Sequence, residues 1–222
     1  MGGGPTRHAD KSIGVMRGSC KWRSESQQPP AEAQVVRLPG QYTPGMKNVT
    51  LNGEKRGASI IHKALSVVRP AFRLNFHDGV HGVSHWSRVW YHGRRIANTL
   101  AVNPAIVAWF AYLHDSQRHN DHRDPLHGQR AADFAVIQRR ERILVELSPS
   151  EFEHLCEAMR LHSDGHIEGE PAIRACWDAD RLDLGRVGIE PHPKLLCTPA
   201  GRQKSTIQEA SRMAMGRPRK PS

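Results

Sequence analysis

The chain has 222 residues, 38% hydrophobic and 24% charged, with a mean hydropathy of −0.59, enough for one medium domain with its own core. The apolar run from Ile106 to Leu113 is far short of the roughly 20 residues a bilayer-spanning helix needs, and the start shows no basic-then-apolar signal pattern, so we expect a cytoplasmic protein with no membrane partner. The net charge of +10 sits at the ends: residues 1–57 hold 9 Lys+Arg against 4 Asp+Glu, residues 201–222 hold 6 against 1, and residues 58–200 hold 17 of each, which excludes a basic nucleic-acid platform in the middle.

Residues 1–57 are rich in Gly, Pro, Ser and Gln and sustain no period of 3.6 or 2, so a disordered leader is expected there. Ala58 to Arg69 places Ile61, Leu65 and Val68 on one face and should stop before Pro70. A second helical stretch covers His85 to Leu100. Asn103-Pro104 reads as an N-cap followed by Pro at the first helical position, opening a helix that ends near His114. After the polar stretch 115–125, Leu126 to Leu147 reads as helix. Ser148-Pro149-Ser150-Glu151 is a capping box for a helix reaching about His162, and Pro171 can start another that runs to about Arg186. These amount to an all-α bundle of about six helices. Residues 201–222 read as a basic flexible tail, solvated first of all, with weak contact with polyanions by the two basic tails as the second reading.

Cys20, Cys156, Cys176 and Cys197 form no CxxC pair, which leaves reduced thiols and neither a disulfide framework nor a zinc finger. Thirteen of the 14 histidines fall in the neutral middle. On its helix, His85 shares a stripe with Val89, His92 and Ile96 and should point inward; a lone inward histidine, like His92, is also consistent with a plain core residue. His114-Asp115 closes an almost wholly apolar helix, where a carboxylate at the edge of a core needs a cation or a metal, unless the pair merely punctuates the helix. In Asp178-Ala179-Asp180-Arg181-Leu182-Asp183, Asp180 and Asp183 share a face whereas Asp178 points away, and those that do not reach a site are expected to pair with Arg181 and Arg186. A histidine, a His-Asp doublet and a distant aspartate, each on its own helix, suit a divalent transition metal.

In order and helical placement, His85, His114-Asp115 and Asp180 resemble the H…HD…D signature of the HD-domain metal-dependent phosphohydrolases. The strings HGVSHWSRV (81–89), LHDSQRHND (113–121), DPLHGQRAA (124–132) and CWDADRLDLGRVG (176–188) are similar to a bacterial subgroup of that family, over about residues 58–200. The resemblance implies an HD-like helical domain in which His85, His114, Asp115 and Asp180 bind one metal. It also implies that His127 and His162 complete a second site, with Asp115 bridging. As residues alone, these two histidines read equally well as an N-terminal polar contact and a C-terminal histidine favoured by the helix dipole.

The implied chemistry is hydrolysis of a phosphoester of a nucleotide or small phosphorylated metabolite, with one or two divalent ions (Mn, Co, Ni, Mg, Zn or Fe) activating water and polarising the phosphoryl oxygen. Asp115 would stand at the centre of the chemistry, with Arg118 as the cation facing the phosphoryl oxygens and Arg88 next; Arg118 could instead pair with Asp121 or Asp124. His81, four residues before His85, could bind substrate or act as an acid. His119, His122, His154 and His166 read as surface residues, and Trp86 and Trp90, at helical spacing, as core. Two other classes fit the same residues: a di-iron HD-domain oxygenase, and a non-catalytic regulatory or nucleic-acid-binding module.

Overall fold

The computed structural model describes residues 49–216, with side chains from residue 57 onward. Among the described residues it is all-helical, and no helix is long and apolar enough to cross a membrane. Residues 1–48 and 217–222, and with them most of the expected leader and the end of the expected tail, lie outside the described residues.

Helix α1 (Val49–Ala71) begins earlier than expected and runs through Pro70. Proline in the last turn costs one backbone bond, and the turn still closes with Phe72 N–H donating to Val68 O while Phe72 packs edge-on against Trp86. Helix α2 (Val83–Leu100) buries His85, Trp86, Val89, His92, Gly93, Ile96 and Ala97, one stripe at a 3.6-residue period. Helix α3 (Pro104–Leu113) is buried along its whole length after the first residue, as a helix apolar on all sides must be. It is the central helix, packed by α1, α2, α5 (Pro149–Leu161) and α6 (Pro171–Arg181).

Capping fixes where the helices start. Asn103 accepts the Ala105 N–H and donates through its amide to Glu151; Glu151 is also the third helical residue of the Ser148 capping box. One carboxylate thus ties the start of α3 to the start of α5. Helix α4 (His127–Arg140) stops well before Leu147, because Arg142 takes a left-handed φ of 62° and the Arg139 side chain caps the following turn through Leu144 O and Leu147 O.

Two glycines set the spacing that the site depends on. A Cβ at Gly93 would stand 2.1 Å from Val107 Cγ1 and 3.0 Å from Ala179 Cβ, so α2 lies in close contact with both α3 and α6. A Cβ at Gly128 would stand 2.2 Å from Met159 O, which brings α4 equally close to α5. These approaches bring together the histidines and aspartates at one end of the bundle.

The end of the chain departs from expectation. After a 3-10 turn (Leu184–Val187) and another (Pro193–Leu195), residues 199–215 form α7 (Pro199–Arg202) and α8 (Lys204–Met215) rather than a flexible tail. Ile207 and Ala210 are buried, and Glu209 accepts from Tyr91 Oη at 2.7 Å and Arg95 Nη1 at 2.6 Å. The three-residue spacing of Ile207 and Ala210 gives α8 a narrow apolar face that its overall basic composition hides. Asp178, expected to pair with an arginine, instead accepts the backbone N–H groups of Cys197 and Thr198 and the Thr198 hydroxyl, anchoring the strap 184–198 to α6.

Candidate metal centre

The C-terminal ends of α3, α5 and α6 and the N-terminal ends of α2 and α4 meet at one end of the bundle, each carrying at least one of the expected ligands. His85, His114, Asp115, Asp180, His127 and His162 are all brought there. His85 Nε2 lies 3.1 Å from His114 Nε2 and 3.4 Å from Asp180 Oδ1, and Asp115 Oδ2 lies 3.6 Å and 3.4 Å from the same two nitrogens. On the other side His127 Nε2 lies 2.8 Å from His162 Nε2, and Asp115 Oδ1 lies 3.2 Å and 3.8 Å from these. The two oxygens of Asp115 therefore face two different pairs of imidazoles.

The outward nitrogens decide the chemistry of the inward ones. His114 Nδ1 bonds Phe110 O at 3.1 Å, His127 Nδ1 bonds Asp124 O at 2.5 Å and His162 Nδ1 bonds Met159 O at 2.7 Å. A carbonyl can only accept, so each Nδ1 carries the hydrogen and, in a neutral ring, each Nε2 presents a lone pair to the site. His85 Nδ1 donates to Asp183 Oδ2 at 2.7 Å, and Asp183 is held in turn by Arg88 Nε at 2.5 Å and Nη2 at 3.0 Å. Lone pairs and carboxylates thus converge on one volume, and Asp180 Oδ1 is buried there without a hydrogen-bond partner. Acceptors packed this way are relieved by a proton or by a cation between them. Ligand atoms of His85, His114 and Asp180 lie within 4.8 Å of one another, as do those of His114, Asp115 and His162, so the residues fit divalent ions of the kind bound by imidazole and carboxylate. Buttressed imidazoles of this type are also the usual pattern around metal ligands.

The electrostatics point the same way. Burial disfavours charge on His114, but the carboxylates of Asp115 and Asp180 outweigh it and push its pKa up to about 10. Burial alone would raise Asp115 and Asp180, yet the surrounding imidazoles, with Arg186 for Asp180, hold both well below the usual carboxylate range. His162 is pushed down, chiefly by burial. In the absence of an ion, the cluster therefore keeps both carboxylates charged and takes up a proton on His114.

Around this centre, Arg118 lies 3.3 Å from Asp115 Oδ1 and is fixed by the carbonyls of Asn120 and His122, not by Asp121 or Asp124. Asp121 instead bonds His81 Nδ1 at 2.8 Å. His81 precedes α2, which starts at Val83, yet it is buried, and its ring centroid lies 6.5 Å from that of His85. Burial lowers its pKa, and its Nδ1–H is committed to Asp121. The polar stretch 115–125 thus positions Arg118, His81 and His127, and is itself fastened where Asp124 receives Arg130 at 2.5 Å and the His119 N–H at 2.8 Å.

Arg88 is corrected from a substrate cation to the partner of Asp183, behind His85. In its place Arg186 borders the cavity next to the site, its Nη1 3.9 Å from Asp180 Oδ1 and its Nε donating to Val80 O. Asp183, expected to pair with Arg181 or Arg186, was missed as a buttress, although its position three residues after Asp180 on a shared face was a usable signal. His92 is a core residue, its pKa lowered to about 4 by burial; Trp86 is fully buried and Trp90 packs against the core. His119, His122 and His166 are exposed and His154 is half-buried. Cys156, Cys176 and Cys197 are free, buried thiols whose pKa values burial raises, to about 12 for Cys197. No family model, curated protein or solved structure matches this chain.

Two measurements test this geometry. Replacing Asp183 by Asn removes the charge behind His85 and should weaken metal affinity about 10- to 100-fold with helicity unchanged by circular dichroism; unaltered affinity would exclude the buttress role. Since the raised pKa of His114 places a proton in the metal-free cluster at pH 7, metal binding must release it. Apparent affinity should therefore rise by up to about tenfold per pH unit between pH 6 and 8, with calorimetric heats that depend on buffer ionisation enthalpy; affinity independent of pH would contradict the assignment.

Proposed function

We propose that the chain is a metal-dependent phosphohydrolase of the HD-domain type, acting on a small phosphorylated compound. The observation that carries the reading is Asp115, whose Oδ2 faces His85 and His114 while its Oδ1 faces His127 and His162, an arrangement suited to two ions sharing one carboxylate. His85, His114, Asp115 and Asp180 would hold one ion, and Asp115, His127 and His162 the other. Ions held in this way make a nucleophile available from water near neutral pH and draw charge from a phosphoryl oxygen.

The remaining work falls to the side chains. Arg118, fixed by two carbonyls beside Asp115, faces negative charge on the phosphoryl oxygens without having to reorganise. His81, oriented by Asp121, accepts a proton at Nε2 as the nucleophile forms. Asp183 and the three carbonyls behind the histidines keep the four imidazoles in the tautomer that binds a cation. The same six ligands suit two irons, so metal identity separates the hydrolase from an oxygenase.

The test is elemental analysis of protein purified without chelator, followed by a phosphoester screen. Wild type should carry about two equivalents of non-iron divalent metal and hydrolyse phosphoesters. His162→Ala should retain about one equivalent, and Asp115→Ala should lose metal and turnover while keeping its helices. Two irons with oxygen-dependent turnover would replace the reading with an oxygenase, and no metal after reconstitution would reduce the cluster to scaffold.

A further inference from the structure

A cavity of about 320 Å³ opens over Asp115, His162 and Asp180, near the lower end of the size range of small-molecule sites. Its lining mixes the cations Arg118, Arg181 and Arg186 with the aliphatic Leu184, Ile189, Leu195 and Leu196 of the strap between α6 and α7, which also brings Glu190 and His192 to it. Ile189 and Leu195 are 54% and 58% exposed, and with so much apolar surface in the water they gain by being covered. Among the described residues no Phe, Tyr or Trp lines the cavity, which leaves a nucleobase only smaller faces such as those of His192 and Arg181 to stack on.

The strap is a built wall, not a loose loop. The Arg181 guanidinium, on the α6 side, donates to Leu195 O at 2.8 Å and to His166 O at 2.6 Å. Asp178 holds its far end through the N–H groups of Cys197 and Thr198 at 2.6 and 2.8 Å. The side chains of Leu195 and Leu196 are therefore presented to the cavity by backbone that is fixed from two positions on α6.

We infer that the substrate is a small aliphatic phosphomonoester, its phosphoryl group lying over Asp115 and Asp180 between Arg118 and Arg186, and its alkyl chain lying along Leu184, Ile189 and Leu195. The inference rests on the phosphohydrolase reading and narrows it, toward substrates whose carbon chain covers Ile189 and Leu195 and away from nucleotides, for whose base the cavity offers no Phe, Tyr or Trp. In the reaction one water is consumed. Its oxygen forms the new bond to phosphorus, the bond between phosphorus and the alkyl oxygen breaks, one proton of the water ends on the departing alcohol, and inorganic phosphate takes the other.

The experiment separates the two levels by pairing a binding series with a turnover series on the full chain loaded with Mn²⁺. Calorimetry with n-alkylphosphonates from methyl to heptyl, which cannot be hydrolysed, should give an affinity that rises roughly two- to fourfold per methylene and then levels off. The kcat/KM for the matching alkyl phosphates should follow the same trend and exceed that for nucleoside 5′-monophosphates by at least tenfold. Leu195→Asp should flatten the binding series. A flat series in the wild type, or a preference for nucleotides, would overturn the inference while leaving phosphoester hydrolysis intact. A rising series with no turnover of any phosphoester would overturn the hydrolase reading and the substrate assignment with it, leaving only an alkylphosphonate-binding site.

Discussion

Two buried carboxylates and four imidazoles share one end of a helical bundle, and their mutual compatibility is the constraint that the rest of the molecule serves. Asp115 and Asp180 remain charged despite burial, and an isolated carboxylate in a protein interior is expensive. The imidazoles relieve that cost only by carrying a proton or by sharing a cation. Since the nitrogens that face the site belong to rings already donating through their other side, the shared cation is the arrangement that leaves fewest acceptors opposed.

The bundle is built to hold that arrangement. Three of the four histidines are set by main-chain carbonyls within the same helical turn or the preceding loop, so they cost the sequence no further side chain; His85 alone is set by a side chain, Asp183, with Arg88 behind it. The distances between ligands depend on how closely the helices approach, and Gly93 and Gly128 allow that approach where any side chain would collide with a neighbouring helix. Asp178, two residues before Asp180 on α6, turns away from the site and fastens the strap that forms the cavity wall. One short acidic segment thus supplies a candidate ligand, a buttress and an anchor.

Much of this was legible in the sequence. Caps and prolines gave the starts of α3, α5 and α6 because those signals act locally, through one side chain and one or two N–H groups. The six ligand positions followed from histidines and aspartates at helix ends, in an order resembling a known motif, and all six meet in space. What was misread depends on contacts distant in sequence. Helix α8 looked like a solvated basic tail because its buried face is only Ile207 and Ala210. Arg88 and Arg186 exchanged roles because which arginine reaches the cavity is set by the packing of α2 against α6, which no spacing along one helix reveals. The strap 184–198 has no periodicity to read, and its aliphatic side chains matter only once Arg181 and Asp178 have folded it over the site.

Whether Asp115 is shared between two ions is read most directly from crystals grown with Mn²⁺, through anomalous scattering. Two anomalous peaks should stand in one site, one ringed by His85, His114 and Asp180 and the other by His127 and His162, each touching a different oxygen of Asp115. A single peak with none beside His127 and His162, or no peak at this end of the bundle, would contradict that sharing.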